Sequence, residues 1–468
     1  MKTLLLSPQI NVSYANIPPL GLGYIQSQLE NNGHNTKTID MFDYSSKKAE
    51  KKIRKENPDI VGISCFTYYR ANSLKLAKIC KKVNPGIKVI LGGAHADFMY
   101  NQILSHFPEV DYIVTGEGEI TTLQLVRAIE HNQSLKNIKG IVFRSNGEII
   151  RTANRDPIQN LDEIPFPCYR DFELERYSSL PTASQHGMQK LKHTSIITSR
   201  GCPFNCQFCS TSKFWGRFWR PRTPKNVVDE IERLNSEYNI QFLDFADDTF
   251  TLDQKRVIEI CKEIIKRKLG IYWYAGTRAD CVSRELFKWM KQAGCIQIDV
   301  GVESGSPKIL ETINKRITVK QVISAFKMAD EIELDTNCLL MVGNPGETKK
   351  TIEETIKLLD IINPKVITVG LTRIFPATPL YDIAKEKGMV NDDYWLTDKT
   401  IPTYTWDYTI EELNMMRLNI IKHFYKNMGA VPLIKYLFRL DKKTFLDQSL
   451  QLAKYSIQKI KSFFKRGG

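Results

Sequence analysis

Ser199-Arg200-Gly201-Cys202-Pro203-Phe204-Asn205-Cys206-Gln207-Phe208-Cys209-Ser210 follows directly on the apolar run Ser195-Ile196-Ile197-Thr198. The run has the character of a short buried strand, so the three cysteines fall on the loop at its carboxyl end. Their C-x3-C-x2-C spacing supplies three thiolates, whereas iron–sulfur clusters are usually ligated by four. A donor set one short leaves an iron open to a small molecule, by the logic that separates an open catalytic metal site from a closed structural one. Zinc would want a fourth Cys or His nearby, and His186 and His193 precede the loop without finger-like spacing. A disulfide suits neither the tight loop nor the odd number. The stretch reads as the seat of a 4Fe-4S cluster held by Cys202, Cys206 and Cys209.

The chain of 468 residues, with 42% hydrophobic and 25% charged residues, is long enough for two or three folded domains. Its other cysteines are scattered without pairing rhythm, and the start, Met1-Lys2-Thr3-Leu4-Leu5-Leu6-Ser7-Pro8, is too short in apolar length for a leader. A reducing cytoplasm is the expected setting. No stretch has the length of a membrane span. The net charge of +14 raises the question of a polyanionic partner, but lysine excess is commonly a solvated surface, and nucleic acid is not expected.

Residues 191–395 alternate apolar runs with helical stretches. Phe242-Leu243-Asp244-Phe245 ends in Ala246-Asp247-Asp248-Thr249, and Tyr272-Trp273-Tyr274-Ala275 in Thr277-Arg278. Ile296 to Val302 ends in Glu303-Ser304-Gly305-Ser306, Cys338 to Val342 in Gly343-Asn344-Pro345-Gly346-Glu347, and Val366 to Val369 leads to Arg373. With the cysteine loop after the first strand this makes six units, with polar residues recurring at the rim where barrel enzymes place their chemistry. The pattern resembles the radical S-adenosylmethionine (SAM) enzymes and their partial (β/α)6 barrel. The resemblance implies that the open iron chelates SAM and that Phe208 lies against its adenine. It further implies that Asp247 and Asp248 accept the methionine ammonium, that Glu303 and Ser304 bond the ribose, and that Gly343 and Asn344 approach the adenine. Arg278 would neutralise the methionine carboxylate, a structural ion pair being its alternative, and Arg220 and Arg222 fit an anion-facing position.

Residues 1–135 also alternate: Leu4 to Leu6, Thr36 to Met41, Ile60 to Phe66, Val89 to Leu91 and Tyr112 to Val114 are separated by helical segments. Such runs call for a parallel sheet covered on both faces, with ligands at the carboxyl ends of its strands. Pro18-Pro19-Leu20-Gly21-Leu22-Gly23-Tyr24, Gly33-His34, Asp40, Gly92-Gly93-Ala94-His95 and Gly116-Glu117-Gly118-Glu119 together resemble the Rossmann-like cobalamin-binding domain that precedes many radical SAM cores. This implies a corrinoid contacted by Leu20, Gly21, Gly92, Gly93, His95, Gly116 and Glu117. The Asp-x-His-x-x-Gly signature, whose histidine ligates cobalt from below, is absent.

Residues 136–190 read as a linker with a hairpin turning at Asn146-Gly147 and a proline-stiffened stretch, Leu161 to Pro167. Residues 396–468 read as a helical tail, with a helix from Glu411 to Tyr425. Near the end Leu446, Leu450, Ala453, Ile457, Ile460 and Phe464 recur at helical spacing among lysines, a basic amphipathic helix that would dock on its own domain or touch anionic lipid. The fold expected is α/β: a Rossmann-like parallel sheet, then a partial radical SAM barrel, then the helical tail.

The resemblance implies reductive SAM cleavage fed by an external electron donor such as flavodoxin or ferredoxin, and cobalamin-dependent methyl transfer to an unactivated carbon of a small-molecule or lipid-like substrate. The same architecture serves radical cyclisation and oxidative rearrangement. No general base is named. A methylthiotransferase acting on transfer RNA would need three further cysteines in the first domain, where only Cys65 and Cys80 occur. An electron-transfer or sensor protein is the non-catalytic alternative.

Overall fold

The computed structural model describes residues 1–8, 17–177 and 181–428; the basic amphipathic helix expected from Leu446 to Phe464 lies outside them. The first sheet contains β1 (Lys2–Ser7), β2 (Asn35–Asp40), β3 (Ile60–Ser64), β4 (Lys88–Gly92), β5 (Tyr112–Val114), β6 (Ile141–Ser145) and β7 (Glu148–Arg151). Its order is β2-β1-β3-β4-β5-β6-β7, parallel through β5. Leu4, Leu6, Val61, Ile63, Val89 and Leu91 are all nearly inaccessible, as strands covered on both faces require. The order 2-1-3-4-5 reverses direction between β1 and β3, and the crevice at such a switch point is where doubly wound sheets bind ligands.

The hairpin turns where the sequence indicates, with φ of 51° at Asn146 and 84° at Gly147, the left-handed pair that a two-residue turn needs. It is not part of a free-standing connector. β6 pairs antiparallel with β5, so the first sheet extends to Arg151.

The second sheet contains β8 (His193–Ile196), β11 (Phe242–Phe245), β12 (Tyr272–Thr277), β13 (Cys295–Glu303), β14 (Asp335–Val342) and β15 (Val366–Leu371), all parallel, in the order β15-β14-β13-β12-β11-β8. Between β8 and β11 lies a small antiparallel ladder of β9 (Ser199–Arg200) and β10 (Arg220–Pro221). Each strand is followed by a helix whose start is fixed in sequence. Thr223, Asp253, Ser283, Thr318, Thr348 and Thr378 each accept a backbone N–H of the first helical turn, a cap whose loss typically costs about 1 kcal/mol. One face of the sheet, with Phe245, Trp273, Ile298, Val300 and Cys338, packs on these helices. Trp273 is fully buried and its indole N–H donates to the Ala293 carbonyl at 2.8 Å. The other face is only partly covered at Asp244, Tyr274, Gly276, Asp299 and Gly370, so the sheet is an open half-barrel whose inner side chains are half-buried.

The two sheets share their cores. Leu20 and Tyr24, from the first helix Leu20–Glu30, belong to the apolar cluster of the half-barrel. Returning past β15, residues 374–404 lay Ile374, Leu380, Tyr381, Trp395 and Tyr404 against the first sheet's helices. Arg70, buried beneath this strap, donates to the carbonyls of Trp395, Thr397 and Lys399.

Candidate cofactor site

The cysteine loop leaves β9 at Gly201, whose φ is +90° and where a Cβ would stand 2.1 Å from the Phe218 carbonyl oxygen. Only glycine fits there. Three hydrogen bonds, from two neighbouring segments, then hold the loop. Gln207 N–H donates to the Ile313 carbonyl at 2.9 Å, Asn314 Nδ2 to the Asn205 carbonyl at 2.7 Å, and Leu380 N–H to the Gln207 carbonyl at 3.1 Å. Cys206 is buried, while Cys202 and Cys209 are partly exposed, and all are free thiols. Burial lifts the Cys206 thiol, against the pull of Lys315 and Arg278, and burial also lifts Cys209. Among the described residues no three His, Cys, Asp or Glu side chains gather to hold one metal ion. A four-iron cluster instead spreads its ligands over separate corners, which matches thiols spaced along a loop.

The strand ends carry the residues expected to meet SAM, and several are already engaged. Asp247 accepts from Thr198 N–H, Thr198 Oγ1 and Ser199 Oγ, each at 2.6 Å. It fixes the approach to the cysteine loop, and both carboxylate oxygens are already engaged there. Asp248 opens to the rim and accepts from Thr211 Oγ1 at 3.0 Å. Loss of water around it, then the Asp247 charge, lifts its carboxyl to about 6. Arg278 pairs with Asp280 at 2.9 Å and donates to the Lys315 carbonyl at 2.7 Å; the structural ion pair is what forms. Ser304 Oγ accepts from Ser306 N–H at 3.1 Å and faces Thr355 Oγ1 at 3.3 Å. Phe208 leans partly buried on the strap side of the first sheet's core.

Glu303 has φ +67° at a register shift in β13 and pairs with Lys315 at 2.9 Å. A Cβ on Gly301 would stand 2.8 Å from Lys315 Nζ, so Gly301 makes room for that pair. Asn344 accepts from Thr372 Oγ1 at 3.1 Å and donates to the Met341 carbonyl at 3.3 Å. Gly343 N–H donates to Glu347 at 3.1 Å, and its φ is +88°. Arg222 is buried and paired with Glu230.

At the first sheet's carboxyl edge, Gly93 has φ +100°, with the Cys65 carbonyl oxygen 3.0 Å from where a Cβ would be. Gly116 has φ +64°, open space on its Cβ side, and an N–H bonded to Asp97 at 3.0 Å. Gly92 accepts from Cys65 N–H at 2.7 Å. Leu20 is buried in the shared core and Gly21 is exposed. His95 is 1% exposed, lies 3.2 Å from Thr67 Oγ1 through Nδ1, and sets its ring edge-on to Trp395. Burial, then the Arg70 charge, pushes it down to about 3, so it is a packed neutral histidine.

The Glu117 carboxylate is already engaged inside the protein. Its carboxylate takes Arg200 and Arg220, each at 2.7 Å, and Ile158 N–H at 2.7 Å. Arg200 reaches Glu119 as well, at 2.5 Å. Arg200, Glu119 and Lys315 were missed as site residues, because ion pairs between distant segments leave no local pattern, although Arg200 and Glu119 stand inside the motifs quoted above.

The sequence matches the Radical SAM superfamily over residues 196–359 and the B12 binding domain over residues 8–126. It is 35% identical over 447 residues to an uncharacterized methyltransferase of Pyrococcus horikoshii, covering 94% of this chain and 95% of that one. The chain belongs to the cobalamin-dependent radical SAM family. An anaerobic magnesium-protoporphyrin IX monomethyl ester cyclase of Rubrivivax gelatinosus is 33% identical, with 84% of this chain and 71% of that one covered. The cobalamin-dependent S-adenosylmethionine radical enzyme OxsB, solved with aqua-cobalamin and S-adenosylmethionine bound, superposes with a TM-score of 0.75 at 19% identity over 96% of this chain and 71% of that one. That likeness concerns the fold.

Membership in this radical SAM family brings a 4Fe-4S cluster, SAM and cobalamin as cofactors, and the residues present fit them. Inside the half-barrel Gly276 has nothing within 4 Å of a built Cβ, and Gly370 meets only a carbonyl oxygen at 3.9 Å, which leaves space for a ligand against the strands. Around the first sheet's edge Phe66 is 43% exposed and Tyr68 52%, and Phe218, from the loop that packs on Gly201, is 71% exposed. Phe66 packs edge-on to Tyr69 and Tyr68 edge-on to Phe375, and their remaining exposed ring surface is apolar area of the kind a macrocycle covers. Arg220 adds two buried N–H groups, Nε and Nη2, without partners, donors of the kind that peripheral amide carbonyls accept from. Among the described residues no helix is long and apolar enough to cross a membrane.

Proposed function

We propose that this radical SAM enzyme transfers a methyl group to an unactivated carbon of a small-molecule substrate. The observation that carries the reading is the direct bonding of the cysteine loop's base to the glycine edge of the first sheet, through Arg200 and Glu117. Cofactors held at those two places would work on one substrate between them. When bound, the reduced cluster and SAM supply a 5′-deoxyadenosyl radical and the corrinoid supplies a methyl carrier.

The chain's own part is binding, orientation and exclusion. Cys202, Cys206 and Cys209 hold the iron. Asp248, accessible at the rim, receives the methionine ammonium, a charge-assisted bond. The backbone around Gly276 and Gly370 takes the nucleoside side of SAM, and Gly343 and Asn344 shape the rim beside it. Phe66, Tyr68 and Phe218 cover the corrin and keep water from it, with the Gly92-Gly93 and Gly116 turns beneath. The functional division is a corrinoid unit on the first sheet, reaching Arg151 through the hairpin, and a SAM unit on the second. Electrons for the cluster come from an external donor such as flavodoxin or ferredoxin.

Ring closure is the second reading, favoured by the 33% identity to a cyclase. Incubating the reconstituted enzyme with a small-molecule extract and SAM labelled in its methyl carbon separates the two. Label appearing on a product carbon supports methyl transfer. A changed product without label, formed while SAM is consumed, would overturn it in favour of cyclisation.

A further inference from the structure

Glu117 and Glu119 follow β5 directly, whereas Arg200 and Arg220 form the ladder that opens into the cysteine loop. The four side chains are between 5% and 6% exposed. Two carboxylates meet two guanidiniums, so the charges balance. Such buried pairs are poor sources of stability, since apolar residues of similar volume often serve as well, but they can specify register.

Rigid flanks surround this network. Arg200 is clamped between the rings of Tyr24 and Trp215, at 5.2 and 5.3 Å from their centroids. One residue on, Gly201 is wedged under the Phe218 carbonyl, and Cys202 follows. On the other side Glu117 adjoins Gly116, whose N–H is fixed by Asp97. From Gly116 to Cys202 the path runs Glu117, ion pair, Arg200, Gly201, with no loop in it free to swing.

We infer that the Glu117, Glu119, Arg200 and Arg220 network is the positioning device that sets the separation between corrinoid and iron–sulfur cluster. The inference rests on the cofactor assignment above. Glu117, Glu119 and Arg200 are positioning residues that act through the two loops they join, and Arg220 braces Glu117 from the ladder's second strand.

The test uses full-length protein with its cluster reconstituted and hydroxocobalamin bound, reduced so that both cobalt(II) and cluster are paramagnetic. Their magnetic dipolar interaction reports the distance between them without any substrate. Wild type should give one defined interaction. Glu117→Gln and Arg200→Lys should keep iron and corrinoid content but lose that single interaction to a broad spread of distances. Glu119→Gln, which breaks one ion pair and leaves the Glu117 carboxylate intact, supplies a milder folded variant and should show a smaller spread. Folded variants with both cofactors and an unchanged interaction overturn the network's role alone. A wild-type protein that retains no corrinoid overturns the cofactor assignment with it.

Discussion

Arg278 lays its guanidinium 3.5 Å from the centroid of the Phe204 ring, so that the end of β12 grips the cysteine loop between its first two thiols. The same group forks onto Asp280 and the Lys315 carbonyl. Lysine cannot reproduce a planar fork stacked on a ring. Arg278→Lys should weaken the loop by about 2 kcal/mol and speed the loss of reconstituted iron to a chelator. Iron loss at the wild-type rate would show that the stack is idle.

Gly201→Ala places a methyl group 2.1 Å from the Phe218 carbonyl oxygen at φ +90°. Gly294, at the opposite rim where β13 begins, carries the same kind of strain: φ +93°, with the Ile271 carbonyl oxygen at 2.1 Å. Each substitution should cost roughly 2 kcal/mol or more. Only the alanine at 201 should also lower the iron bound per folded chain, measured beside the thermal midpoint. Equal iron in both variants would contradict the account of the loop.

His95 is committed to Thr67 and Trp395 inside the protein. Bound cob(II)alamin should therefore show no nitrogen splitting from this imidazole in its electron paramagnetic resonance spectrum. His95→Gln should leave the spectrum unchanged. Splitting in the wild type that vanishes in the variant would make His95 a cobalt ligand.

Inside the half-barrel, burial lifts the Asp244 carboxyl from 3.8 to about 7. A folded value above the unfolded one means that its stabilising contribution is complete below pH about 4 and is lost as pH rises through about 7. Asp299, raised to about 6 by burial, acts in the same sense. Asp244→Asn should flatten the decline in unfolding midpoint between those limits. Parallel wild-type and variant curves would show that the group titrates normally.

The parallel sheets and the cysteine loop were legible because each rests on a local pattern. Val89-Ile90-Leu91 before Gly92-Gly93 can hardly be anything but a buried strand at a ligand edge, and three thiols on one loop announce a metal. What escaped was long-range. Asp247 looked like a ligand group because carboxylates at strand ends so often are, yet Thr198 and Ser199 claim it. Glu117 stands in a recognisable glycine run, but its partners are 83 and 103 residues away. Nothing in the hairpin's alternation indicated that it would join β5, since edge pairing depends on which strand lacks a neighbour.

Anaerobic reconstitution with iron and sulfide, followed by SAM and dithionite, tests the central claim with 5′-deoxyadenosine as the measured product. Wild type should release it, and Cys206→Ala should release none while still retaining hydroxocobalamin. An intact cluster in the wild type that yields no 5′-deoxyadenosine would contradict the account.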